Sequence, residues 1–69
     1  MKEKITIVCD DFNHVLVIVD YLYRKKLIKK IYQLNDKFAP YYGIIEVTID
    51  KSGLRKILDS KFKNNYLLR

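Results

Sequence analysis

Four residues with reactive side chains crowd near the start of the chain: Cys9, Asp10, Asp11 and His14. A thiol and an imidazole at this spacing could form a nucleophile–base pair or half of a zinc site. Elementary electrostatics and counting argue against both. Two carboxylates beside a thiol hold it protonated, whereas a catalytic cysteine needs electropositive surroundings. The sequence has one Cys and one His, so no second soft ligand completes a metal site from one chain. Asp10 and Asp11 are adjacent and would point apart on a strand, so they do not flank a scissile bond as paired carboxylates do. Gly43 and Gly53 are isolated and form no phosphate-cradling loop. The cluster reads as a small buried strand cysteine, a turn-forming aspartate pair and a histidine flanking a strand. No catalytic residue, metal, cofactor or enzymatic activity is expected.

Phosphate recognition is the chemistry the chain is better equipped for. Lys and Arg number 14 against 8 acidic residues, a net charge of +6 with pI near 9.5. The excess is uneven. Residues 24–38 hold Arg24, Lys25, Lys26, Lys29, Lys30 and Lys37 against Asp36, and residues 51–69 are basic to the same degree, while the segments before each are mildly acidic. Such alternation favours a one-sided basic surface. Lysines at helical spacing can track phosphates and give salt-sensitive affinity. The plain alternative is a solvated helix face, enriched in Lys because it keeps a small protein soluble. Tyr41 and Tyr42 follow Pro40 in a loop-like stretch, where aromatics beside Lys can stack on unpaired bases or anchor a protein interface. The candidate nucleic-acid-binding set is therefore Arg24, Lys25, Lys26, Lys29, Lys30, Lys37, Tyr41 and Tyr42.

These residues need a scaffold. Lys4 to Cys9 alternates Ile5 and Ile7 with Lys4 and Thr6 and reads as a strand. Residues 15–19, Val-Leu-Val-Ile-Val, admit two readings. As a helix capped by Asp11, the segment would be apolar nearly all round and weakened by its β-branched residues. As a strand over 14–20, it pairs with 4–9, and a helix over 21–34 starts at Asp20. That helix separates Tyr23, Leu27, Ile28, Ile31, Tyr32 and Leu34 from Lys25, Lys26, Lys29, Lys30 and Gln33. The second reading gives each segment the state its residues favour, and Tyr23 and Tyr32 become core residues. The first leaves residues 27–35 as a strand. Residues 41–49 form a strand with Ile45, Val47 and Ile49 on one face and Ile44, Glu46 and Thr48 on the other. Asp50 or Ser52 caps a helix to about Lys63, broken by Asn64 and Asn65. Gly53 eases its first turn, and Tyr66, Leu67 and Leu68 dock on the core or add an edge strand.

The expectation is one small α+β domain over residues 1–69: a three-stranded, mainly antiparallel sheet with two amphipathic helices, in order ββαβα or, alternatively, βαββα. A chain this short has a thin core, so a second copy covering the apolar 15–19 segment is expected, giving a homodimer. No run of 18 apolar residues suggests a membrane span, no leader pattern opens the chain, and a cytoplasmic address is expected. Lys, Ile, Tyr, Asn and Phe make up 33 of the 69 residues and Ala, Gly, Pro and Arg only 7, the mark of an AT-rich genome. The functional expectation is a small basic nucleic-acid-binding or regulatory protein of a phage, plasmid or virus. The alternative is a small interaction protein that binds and inhibits or adapts a host enzyme complex.

Overall fold

A computed structural model describes residues 3–63 and 65–69. The fold is α+β, and its order is that of the alternative reading with one more strand: β1 (Glu3–Cys9), α1 (Phe12–Arg24), β2 (Ile28–Asn35), β3 (Tyr41–Val47), α2 (Lys51–Phe62) and β4 (Leu67–Leu68). The four strands make one antiparallel sheet in the order β2-β3-β1-β4. β3 therefore lies between β1 and β2, which run parallel to each other; this is the split β-α-β arrangement. Of the expected Asn64 and Asn65 break after α2, Asn64 lies outside the described residues.

Three expectations are corrected. Residues 14–20 are helical rather than a strand, the segment 21–34 is a helix only to Arg24, and the sheet has four strands. In α1, Val15, Ile18, Val19 and Leu22 are buried, the i, i+3, i+4, i+7 stripe of a helix lying on a sheet. Burial on that stripe outweighs the modest helix penalty of β-branched residues. Asp11 caps the N-terminus, its Oδ1 accepting from the Asn13 N–H at 3.0 Å. Asp20, expected as a cap, sits inside α1 and pairs with Arg24 across one turn at 3.0 Å. The all-round apolar character is real, since Leu16 and Val17 remain on the surface.

Both helices cover the same face. Ile5, Ile7, Cys9, Ile45 and Val47 from the sheet meet Val15, Ile18 and Leu22 of α1 and Leu54, Leu58 and Phe62 of α2 in one cluster. Tyr21 packs edge-on against Phe62, their ring centroids 5.4 Å apart. Gly43 allows the close approach of α1 to the sheet: a Cβ there would stand 3.2 Å from Val15 Cγ1 and 3.0 Å from Leu34 Cδ2. Asp50 caps α2, accepting from the Gly53 N–H at 2.7 Å. Tyr66 and Leu68 close the core from the end of the chain, as expected. Tyr23 and Tyr32 do not join the core: Tyr23 is 64% exposed on α1 and Tyr32 is 45% exposed on β2. Their assignment depended on the helix over 21–34, which does not form.

Candidate functional site

The basic residues at 24–37 do not share a helix face, because α1 ends at Arg24 and β2 begins at Ile28. Arg24 is tied to Asp20. The Lys25 Nζ lies over the Tyr21 ring at 5.2 Å, on the helix layer. Lys26 is in the turn, with φ of 61°. Lys29 and Lys30 are exposed on the edge strand β2, and Lys37 is exposed in the β2–β3 loop. The tyrosine pair is also split. Tyr41 turns toward the helices and meets Phe12 edge-on at 6.3 Å. Tyr42, the next residue of the strand, turns to the opposite face.

That opposite face carries neither helix. Lys4, Thr6 and Val8 of β1 alternate with the buried Ile5, Ile7 and Cys9, as Tyr42, Ile44 and Glu46 of β3 alternate with Gly43, Ile45 and Val47. In the pairing register, Glu46 stands between Lys4 and Lys30. The Tyr32 hydroxyl donates to Glu46 Oε1 at 3.1 Å, and the Lys4 and Lys30 ammonium groups sit 4.5 and 4.8 Å from the Tyr32 ring centre. The hydrogen bond to Glu46, then desolvation and the negative charge of that carboxylate, raise the Tyr32 pKa above its ordinary value. One ring thus holds two cations at this end of the face, with its hydroxyl on Glu46.

At the other end, the β2–β3 loop stands beside the sheet and makes a groove of about 530 Å³. Val8, Tyr42 and Ile44 line it from the strands, Phe38, Ala39 and Pro40 from the loop, and Asn35 and Arg69 also border it. Asn35 Nδ2 donates to the Phe38 carbonyl at 3.1 Å, and Gln33 Nε2 donates to the Tyr42 hydroxyl at 3.3 Å. Arg69 reaches this face because its backbone pairs with Thr6 in both directions, at 2.9 and 2.8 Å.

Of the sequence-derived candidates, the open face and its loop gather Lys30, Lys37 and Tyr42; Arg24, Lys25 and Tyr41 belong to the helix side. Lys4, Tyr32, Phe38 and Arg69 were missed. The signal for Lys4 was present in the alternation of β1: with both helices on the side of Ile5 and Ile7, its partners must face the other way.

The Cys9 end offers a smaller cavity of about 250 Å³, bordered by Asp10, Asp11, His14 and Tyr66. Cys9 is buried, and burial followed by the charges of Asp10 and Asp11 pushes its thiol up to about 11. It is a protonated packing residue at neutral pH, as the sequence implied. His14 lies on α1 rather than flanking a strand. Among the described residues, no group of three or more His, Cys, Asp or Glu side chains is placed to hold a metal ion. Among them, too, no helix is long and apolar enough to cross a membrane. No known family, curated protein or solved structure matches the chain.

Proposed function

We propose that this chain binds single-stranded nucleic acid, DNA or RNA, along the open face of its sheet. The observation that carries the reading is the composition of that face. Among the described residues, Lys4, Lys30 and Arg69 stand there against Glu46, with Tyr42 and Phe38 beside them and Lys37 next to Asp36 on the adjoining loop. A cationic track with rings set into it is how sequence-tolerant binders hold a strand, phosphates on the cations and bases on the rings. No Arg fork lines up with a base-reading partner, so contact is largely independent of sequence. The reading is of a binding protein rather than an enzyme. It replaces the phosphate-tracking lysine helix face, because residues 28–35 form a strand.

Fluorescence anisotropy with a labelled mixed-sequence 12-mer, single-stranded and as a duplex, tests it. Binding to the strand at ~50 mM salt should weaken with a log–log slope of about −2 to −3, the release expected for three or four phosphates on a single strand. No binding to the strand under these conditions refutes the reading.

A separate apolar strip favours a protein partner as the second reading. Ile31 and Leu34, on the helix side of the edge strand β2, are 42% and 39% exposed. The proposed homodimer now rests on this strip, because residues 15–19 no longer present a strand face. Sedimentation equilibrium up to ~100 μM separates a self-associating chain from an 8.3 kDa monomer.

A further inference from the structure

We infer that the groove beside the β2–β3 loop is a seat for one nucleobase, held between Phe38 and Tyr42, with Arg69 on the neighbouring phosphate. The inference rests on the single-strand reading and assigns it a point of contact. The cavity of about 530 Å³ falls within the range of sites for small organic ligands, about 300–1,000 Å³. It is too small for a strand and suited to one nucleotide unit.

Its two rings differ in a useful way. Tyr42 is half-buried on the sheet, and its hydroxyl is held by Gln33. Phe38 is 76% exposed, the most exposed of the large hydrophobic side chains among the described residues, on a loop pinned at its own carbonyl by Asn35. An apolar ring so exposed gains from any flat partner that displaces water from it. The chain carries +6 and Arg69 borders the groove, so the partner that fits is both flat and anionic. A nucleotide unit has both properties. The other end of the face is less suited to stacking, because Lys4 and Lys30 already occupy the Tyr32 ring. A base paired and stacked within a duplex cannot enter such a groove, so the seat also selects single strands.

The test uses 10-nucleotide strands carrying one 2-aminopurine, whose fluorescence reports stacking, at each position in turn. Because contact is largely independent of sequence, the wild type should change the fluorescence partially wherever the probe stands, each register seating a different base. Phe38→Ala should abolish that change and weaken binding about tenfold or more, the scale of one base–ring stack, while the salt slope stays the same. Arg69→Gln should keep the fluorescence change and flatten the slope by about 0.7, one phosphate contact. Circular dichroism on both variants confirms folding, which an exposed Phe38 does not support. If the wild type binds the strand but Phe38→Ala binds as well with the same fluorescence change, the base seat is wrong and the single-strand reading stands. If a polyglutamate peptide binds as tightly and is equally sensitive to Phe38→Ala, the groove takes an acidic peptide and the base seat is wrong. If the wild type binds neither strand nor peptide at ~50 mM salt, the reading and the seat both fall.

Discussion

The two faces of the sheet use the same strands and the same ladder of hydrogen bonds, yet they have little else in common. On the covered face, Ile5, Ile7, Ile45 and Val47 are 1% exposed or less and interlock with both helices. One residue along each strand, the open face shows Lys4, Thr6, Ile44 and Glu46. Stability is thus assigned to one side of the layer and the proposed recognition to the other, and in β1 and β3 a substitution acts on the covered side at odd-numbered positions and on the open side at even-numbered ones. A chain of 69 residues can do this only if the covered side supplies nearly all of its hydrophobic stabilisation.

The largest expected effect breaks the covered face. Ile45→Ala opens a cavity in a fully buried position and should cost about 2–5 kcal/mol, enough to unfold much of a domain this small at 25 °C. The neighbouring Ile44→Ala, on the open side, should cost about 1 kcal/mol or less. Urea denaturation followed by circular dichroism measures both, and equal losses would contradict the division of labour.

Charge reversal probes the other face. Lys30→Glu combined with Arg69→Glu should lower single-strand affinity by at least about tenfold, since it removes two phosphate contacts and adds repulsion. Lys25→Glu combined with Lys56→Glu, on the helix side, makes the same change in net charge and should lower it by roughly threefold or less through long-range attraction alone. If the helix-side pair has the greater effect, the open face is not where the strand lies.

Alkaline pH sharpens the comparison from the covered side. The Cys9 thiol rises from 9.0 to about 11, chiefly through burial. The Tyr66 phenol rises from 10.0 to about 12 through burial and its hydrogen bond to Asp59. Both groups are neutral when protonated and have folded values above their unfolded ones. The fold therefore prefers the protonated forms, and this preference holds fully below about pH 9 and is lost as pH climbs through 11 to 12. The melting temperature should stay level to about pH 8.5 and then fall. In Cys9→Ala, the part of the fall that begins near pH 9 should disappear and the part due to Tyr66 should remain.

The smallest effect concerns a turn. At the end of α1, the Leu27 N–H bonds to the Leu22 carbonyl at 3.0 Å and the Lys26 N–H to the Tyr23 carbonyl at 2.9 Å. With Lys26 at φ of 61°, this is the Schellman arrangement that usually has glycine at that place. Lys26→Gly should stabilise the protein by about 0.5–1 kcal/mol, read as a higher urea midpoint. No gain would mean that Lys26 is held there by a contact of its own.

That turn also explains what was hard to read. β1, β3 and α2 announced themselves through alternation in Ile5 and Ile7, alternation in Ile45 and Val47, and the cap at Asp50. The boundary at 24–28 carried no Gly, Pro or Asn, so a lysine in a left-handed turn looked like one more helical lysine. Residues 25–34 happen to sort into apolar and basic sets at the helical period, yet tertiary pairing with β3 makes 28–35 a strand. The candidate site inherited that error: lysines expected on one helix face were dispersed, and the open face became visible only when both helices were seen on the same side.

The strand order has a consequence in time. β1 is the first strand to leave the ribosome and one of the two central strands of the sheet, with β3 on one side and β4 on the other. Its nearest partner, Tyr41 opposite Cys9, follows about 30 residues later, which at ~5–20 residues per second leaves Ile5, Ile7 and Val8 without a neighbouring strand for roughly 2–6 s. The β2–β3 hairpin, by contrast, closes over a loop of a few residues and can form as soon as it emerges. Nascent chains should therefore assemble from the hairpin inward, with α1 as the first cover available to the waiting strand.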